Sequence, residues 1–219
     1  SGALRTVGSV DKGTAVTDNL AVEKQRGISV RVATASFEHK GTKVNIIDTP
    51  GHVDFCGEVE RSLLALDAIV LVVSAVEGVQ AHTITLFHAI QALHIPCIIF
   101  INKIDRLGAD IKNVTDEIAK ELTSKAVLLQ KATNQGSDIV RLESLFSENT
   151  AVSEWITEKI VETDNDLLNR YLEGENLTFC QLDNGLKKAV AHCQLIPILI
   201  GVAKSSLGLH ELMDAITHY

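Results

Sequence analysis

The stretch CIIFINKID, residues 97–105, is where an apolar run meets a polar word, and the fold follows from how that junction is read. Five apolar residues rich in isoleucine, closed abruptly by Asn102, are too short for a helix and have no polar alternation. They read as a parallel strand buried on both faces. Three further stretches have the same character: VNIID (44–48), AIVLVVSA (68–75) and IPILIG (196–201). Between and after them run helical periods, with Val59, Ser62, Leu63 and Leu66 on one face, then Leu86, Ala89, Ile90 and Leu93, then Leu209, Leu212, Met213 and Ile216. Strand and helix in alternation predict an α/β fold with a doubly wound, mostly parallel sheet. In such a sheet the ligand site lies at the carboxyl ends of the strands.

Outside this core, SVRVATASFEH (29–39) alternates loosely and suits a strand nearer the edge, with Gly41 turning it into the next strand as a hairpin. From Ser124 to His192 the pattern changes. TNQGSD reads as loop, SEWITEKIVETDNDLLNRYLEGE as one helix ending near Gly174, and the stretch from Thr178 as another helix opened by a Thr178–Gln181 capping box, with Leu182, Leu186, Ala189 and Cys193 on one face. This segment is expected to be a small helical insertion. The organisation is then a core over 1–123, an insertion over 124–192 and the end of the core over 193–219. Trp155, Ile156 and Ile160 are expected to form the insertion's own core.

Bulk properties narrow the function. The 219 residues are 46% hydrophobic with a net charge of -8, which suits a globular chain and disfavours one that coats DNA by phosphate neutralisation. Cys56, Cys97, Cys180 and Cys193 form no C-x-x-C pair and read as reduced thiols, which points to the cytoplasm. No apolar stretch is long enough to cross a bilayer, so no membrane partner is expected.

The chemistry sits in the words that close the strands. Asp48 ends one strand with its carboxylate at the site mouth, placed to hold a metal-bound water, and Gly51 follows in a D-x-x-G spacing. Without a Cβ there, a backbone N–H approaches a terminal phosphate closely. His52 then stands beside that phosphate. In NKID (102–105), Asp105 has the geometry to accept two hydrogen bonds, from N1–H and the exocyclic amine of guanine, a pair adenine does not offer. Asn102 braces the loop and the stem of Lys103 lies along the ring. In GVAKSS (201–206) the N–H of Ala203 faces the guanine carbonyl and Lys204 covers the base. In EKQRGISV (23–30) Ser29 offers a hydroxyl to Mg²⁺. Each word alone also reads as an ordinary polar turn. The remaining histidines, His82, His88, His94, His192, His210 and His218, lack paired acids or metal spacing.

Taken together, RGISV, DTPGHVDF, SAVEGVQ, FINKIDR and VAKSSLG resemble the translational GTPases, in that family's order. GSVDKGTAVTDN (8–19) resembles the ribosomal-protection tetracycline-resistance proteins more than elongation factor G. The resemblance implies a P-loop NTPase-like G domain that binds GTP or GDP with Mg²⁺. Its implied roles are Ser29 and Asp48 at the metal, Gly51 sensing the γ-phosphate, and His52 as the catalytic residue that orients the attacking water. Asn102, Lys103, Asp105, Ala203 and Lys204 would hold the base. The implied partner is the ribosome, through rRNA and ribosomal proteins. Ser29 stands where the family usually has threonine and Val202 where serine is usual. The motif G-x-x-x-x-G-K-[ST] occurs nowhere in the chain. By resemblance it would lie upstream of Ser1 with the first strand, so the chain reads as a truncated G domain with little GTP affinity or turnover of its own. Alternatives are a translocating GTPase of the elongation factor G type and a nucleotide-free interaction module.

Overall fold

The computed structural model describes residues 32–51, 59 and 62–219. Ser29, His52 and the 8–19 stretch lie outside the described residues; of the expected helical face, Val59 and Leu63 are buried and Ser62 and Leu66 half-buried. Contacts divide the chain into two units, residues 1–66 and 67–219.

In the first unit, β1 (Ala33–His39) and β2 (Thr42–Asp48) form an antiparallel hairpin in full register, from Ala33 opposite Asp48 to His39 opposite Thr42. Lys40 and Gly41 both have positive φ, 48° and 77°, the paired left-handed geometry of a tight two-residue hairpin turn. The hairpin is as expected, but β2 is not buried on both faces: Thr42, Lys43, Asn45 and Ile46 are exposed. The run VNIID contains Asn45, whose side chain accepts from Ser36 Oγ across the pair at 2.9 Å, and that polar rung belongs to a face that meets water.

The second unit is built on a four-stranded parallel sheet in the order β3 (Ile69–Ser74), β4 (Cys97–Asn102), β8 (Ile196–Ile200), β5 (Ala126–Leu128). β4 and β8 are the buried centre, with Ile99, Ile101, Ile198 and Ile200 at 0% exposure. β3 lies at an edge of this sheet and exposes Val72, so AIVLVVSA is buried on one face rather than two.

Helix α1 (Ala81–Ala92) buries Phe87 and Ile90, while Leu93 is exposed and Leu86 half-buried. Its polar residues, His82, Thr83, Thr85, His88 and Gln91, are spread around the helix, so periodicity alone cannot select its inner face; the bulk of Phe87 marks it. Helix α2 (Ile111–Glu117) starts at Asp110, whose side chain accepts from the N–H of Asn113 at 3.0 Å, and it widens into a π-helical turn over Ile118–Leu122.

The segment 124–192 does not pack as a separate body. Its first residues supply β5 to the main sheet, and helix α5 (Phe179–Ala191) buries Leu182, Leu186, Ala189 and Val190 in one core with Ile98, Phe100 and Leu199. Between them lie the antiparallel pair β6 (Gln130–Thr133) and β7 (Arg141–Ser144), then α3 (Glu154–Val161) and α4 (Asn165–Leu172). The single long helix expected over 153–175 is two. Asp164 turns its carboxylate back to accept from Asp166 N and Leu167 N at 3.0 and 3.3 Å, which caps a new helix instead of continuing the old one. Gly174, at φ 81°, ends α4 as expected. The capping box at Thr178 also forms, with Gln181 Oε1 accepting from Thr178 N at 2.8 Å. Ile156 and Ile160 are buried as expected, whereas Trp155 is 47% exposed. Gly185 lets α3 and α4 close on α5, since a Cβ there would meet Leu167 Cδ1 at 2.8 Å and Ile160 Cγ2 at 2.9 Å. The final helix α6 (Leu209–His218) lays Leu209, Leu212 and Ile216 against the core.

Candidate nucleotide-binding site

The ends of β4 and β8 meet at one level because the strands are parallel and in register, Ile101 beside Ile200. The loops that leave them, NKID and GVAKSS, are therefore neighbours, and Asn102 ties them together. Its Oδ1 accepts from Lys103 N at 2.8 Å and from Ala203 N at 3.0 Å, across 101 residues of sequence. The Ala203 N–H that the sequence suggested for a base carbonyl thus donates to Asn102 in this structure. Ile104 is fully buried and anchors the loop from below.

The NKID loop is braced on its other sides as well. Ala75 N donates to Asn102 O at 2.8 Å, and Gly136 N, in the β6–β7 loop, donates to Ile104 O at 2.8 Å. Gly136 sits at φ 78°. Lys103 adopts φ 65°, a left-handed conformation that costs a non-glycine residue on the order of 1–3 kcal/mol. The bond to Asn102 and an ion pair from Lys103 Nζ to Glu77 at 3.3 Å hold it there. The Lys103 ammonium accordingly lies on the side of the turn that follows β3. Glu77 is held below the usual carboxylate range, chiefly by its hydrogen bond with Ser74 and secondarily by Lys103.

Asp105 is half-buried, and among the described residues no group donates to its carboxylate or pairs with it. A carboxylate kept half out of water with both oxygens unengaged is suited to a ligand that brings two donors. Guanine, with N1–H and an exocyclic amine on one edge, is a ligand of that kind.

On the GVAKSS side, Gly201 passes so close to Phe100 that a Cβ would sit 2.7 Å from its Cζ, and Gly208 is at φ 79° against the backbone of Ile200. Val202, buried, bridges to Leu207, which folds Ala203–Ser205 into a 3-10 turn. Lys204 is exposed.

Two supports were not foreseen from sequence. Gln130 is the one buried polar residue among those described, and its Oε1 accepts from Ile200 N at 3.0 Å. β5 stops pairing with β8 at Ile198, so the amide of Ile200 has no strand beside it and a side chain supplies the missing rung. Glu117, at the end of α2, accepts from Val79 N at 2.9 Å and from Asn113 Nδ2 at 2.8 Å, clasping the SAVEGVQ turn at Gly78. Nothing local in the sequence marked either Gln130 or Glu117.

In the hairpin unit, Asp48 closes β2 half-buried and Gly51 is exposed. A Cβ on Gly51 would meet nothing within 4 Å, and its φ is not positive, so no described neighbour requires glycine there. Of the histidines read as unpaired, His218 and His210 have acidic partners among the described residues. His218 Nε2 lies 2.7 Å from Asp183 Oδ2, a contact between α6 and α5 invisible at a separation of 35, and His210 lies 3.5 Å from Asp214 one turn on. No helix among the described residues is long and apolar enough to cross a membrane.

A profile of the family described as "Elongation factor Tu GTP binding domain" matches residues 1–219. The chain is 43% identical over 218 residues to tetracycline resistance protein TetM from transposon Tn916 of Enterococcus faecalis, covering 100% of this chain and 33% of that protein. It is 41% identical to tetracycline resistance protein TetW of Butyrivibrio fibrisolvens, over 99% of this chain and 33% of the relative. A crystal structure of a protein from Thermus thermophilus superposes with a TM-score of 0.86 at 29% identity, over 98% of this chain and 36% of the other. The chain thus spans a third of the length of the curated relatives it matches.

Proposed function

Because the chain belongs to the elongation factor Tu GTP-binding domain family, we propose that it is the guanine-nucleotide-binding part of a ribosome-acting GTPase that protects translation from tetracycline. The observation that supports the nucleotide reading is the Asn102 brace, which ties the loop carrying the unengaged Asp105 to the turn at Ala203. Tetracycline protection is supported by relatives of that name aligned with the whole chain.

In this reading Asp105 takes the two donors of guanine, Asn102 fixes both base loops, and Lys204 covers the ring. Lys103 is held by Glu77 at the β3 side. Asp48 and Ser29 are the residues to hold Mg²⁺, Gly51 faces the γ-phosphate, and His52 orients water for attack. Bound Mg²⁺ neutralises charge developing on the phosphate oxygens. Phosphoryl transfer of this kind depends on positioning, so a carboxylate set at the end of a rigid strand is the part that must not move.

These residues include no G-x-x-x-x-G-K-[ST] loop, and we expect them to bind GTP weakly when expressed by themselves. Expression of the full-length gene in tetracycline-sensitive cells tests the proposal. Growth at inhibitory drug concentration supports it. Absence of protection, with GTP hydrolysis stimulated by ribosomes, assigns the protein to translocation instead; absence of guanine-nucleotide binding by the full-length protein leaves an interaction module.

A further inference from the structure

At the opposite end of the sheet from the base loops, a cavity of about 240 Å³ opens where β4 and β8 begin. Its wall is apolar where α1 presents Phe87 and Ile90, and it carries two cysteines, Cys97 and Cys193, with His94 and Lys125. Neither cysteine has any part in the nucleotide reading. Cys97 is the first residue of β4, and extending the β4–β8 register from Ile99 beside Ile198 puts it next to Ile196. Cys193 lies three residues before Ile196, in the turn that follows α5, where its N–H donates to Val190 O at 3.0 Å. Both residues line this one cavity, and the charge of Cys193 acts on Cys97. Both are free.

Their surroundings differ in a way that orders their reactivity. Cys97 is 4% exposed, and burial pushes its thiol up to about 12, with Cys193 itself adding to the rise. Cys193 is half-buried. Burial raises its thiol too, but the Lys125 charge opposes this, and Lys125 Nζ donates to Cys193 O at 3.2 Å. The thiolate is the attacking species, so the more open, cation-flanked Cys193 reacts first and Cys97 resolves.

We propose that Cys97 and Cys193 form a dithiol modification site that closes to an intramolecular disulfide on reaction with a low-molecular-weight disulfide such as oxidised glutathione. The Cys193 thiolate attacks one sulfur of the reagent, forming a mixed disulfide and releasing one glutathione thiolate, which takes a proton from water. Cys97 then gives its proton to water in the cavity and attacks the Cys193 sulfur, releasing the second glutathione as a thiol. Two cysteine thiols are oxidised and one glutathione disulfide is reduced. The bond joins the α1–β4 junction to the α5–β8 junction, at the base of the two strands whose tips carry the base loops.

The test uses the folded full-length protein, incubated with oxidised glutathione at neutral pH, acid-quenched, alkylated, digested and analysed by mass spectrometry. The expected product is a peptide pair joined through Cys97 and Cys193, lost on treatment with dithiothreitol. In Cys97→Ser, Cys193 should instead accumulate as a stable glutathione adduct, and in Cys193→Ser, Cys97 should stay unmodified. A wild-type protein that keeps a stable adduct on Cys193, or leaves both thiols alkylatable, overturns the proposal whatever the variants do. So does a linkage through the exposed Cys180.

Discussion

Replacing Gln130 by methionine removes one hydrogen bond from the most buried polar position described, at nearly constant side-chain length. The Ile200 amide then faces the end of β5 with no acceptor, because the ladder between β5 and β8 ends at Ile198. An orphaned buried N–H costs ~1–3 kcal/mol. Since β8 is held on its other side by the rung from Gly201 N to Ile101 O at 2.9 Å, the cost should fall mainly on local opening of the strand tip, not on global unfolding. A loss of that size corresponds to a roughly 5- to 150-fold larger equilibrium constant for opening. Hydrogen exchange of the full-length protein, resolved to the peptide containing Ile200 and Gly201, reads it directly, with a peptide from the middle of β4 as the internal reference. The same variant should weaken guanine-nucleotide binding, because Ala203 and Lys204 hang from that tip. Exchange at Ile200 within twofold of wild type would refute the reasoning, since the side-chain rung would then be dispensable.

Other perturbations separate the remaining parts of the account. In the full-length protein, Asp105→Asn should cost about 10²-fold or more in GTP affinity, because each hydrogen bond to a charged group is worth roughly 1.5–3 kcal/mol, and should favour xanthosine nucleotides, whose C2 carbonyl accepts where guanine donates; equal GTP affinity by calorimetry would remove Asp105 from base recognition. Gly185→Ala forces a Cβ against Leu167 and Ile160, and thermal melts should show about 1–3 kcal/mol of destabilisation, an unchanged melt meaning that the helices yield freely. Glu77 has its pKa depressed in the folded chain, so whatever stability its Ser74 and Lys103 contacts contribute is present above the unfolded carboxyl value of 4.5 and is lost as pH falls through the lower folded value. An NMR titration of its carboxyl carbon should therefore have its midpoint below 4.5, and a midpoint at or above that value would contradict the Ser74 and Lys103 contacts together. Asp164→Ala should fray the start of α4 by about 1 kcal/mol, visible as faster amide exchange at Asp166 and Leu167.

The parts of this fold that sequence exposes are those where one physical demand dominates. CIIFI and IPILI have to be buried on both sides, and no other element satisfies runs so short and apolar. The capping box at Thr178 and the stop at Gly174 are likewise written in adjacent residues. What escaped was set by partners far away in sequence. β5 has only three residues, and only the edge of β8 makes it a strand. The break between α3 and α4 turns on whether Asp164 caps or continues a helix, two uses of the same residue that periodicity does not separate. The words NKID and GVAKSS were legible as chemistry, yet their mutual bracing was only half so: Asn102 was expected to steady its own loop, whereas it also consumes the N–H of Ala203. The ion pair of Lys103 with Glu77, 26 residues before it, had no local signal either.

β4 runs between two partners, and its tip is fastened from β3, from β8 and from the β6–β7 loop. If that tip recognises a base as proposed, an element fixed in that way spends its ordering entropy when the polypeptide folds, and none of it when the ligand arrives. Base selection should then be temperature-insensitive in its structural component and as fast as diffusion allows, leaving any slow, ligand-driven rearrangement to other segments of the chain.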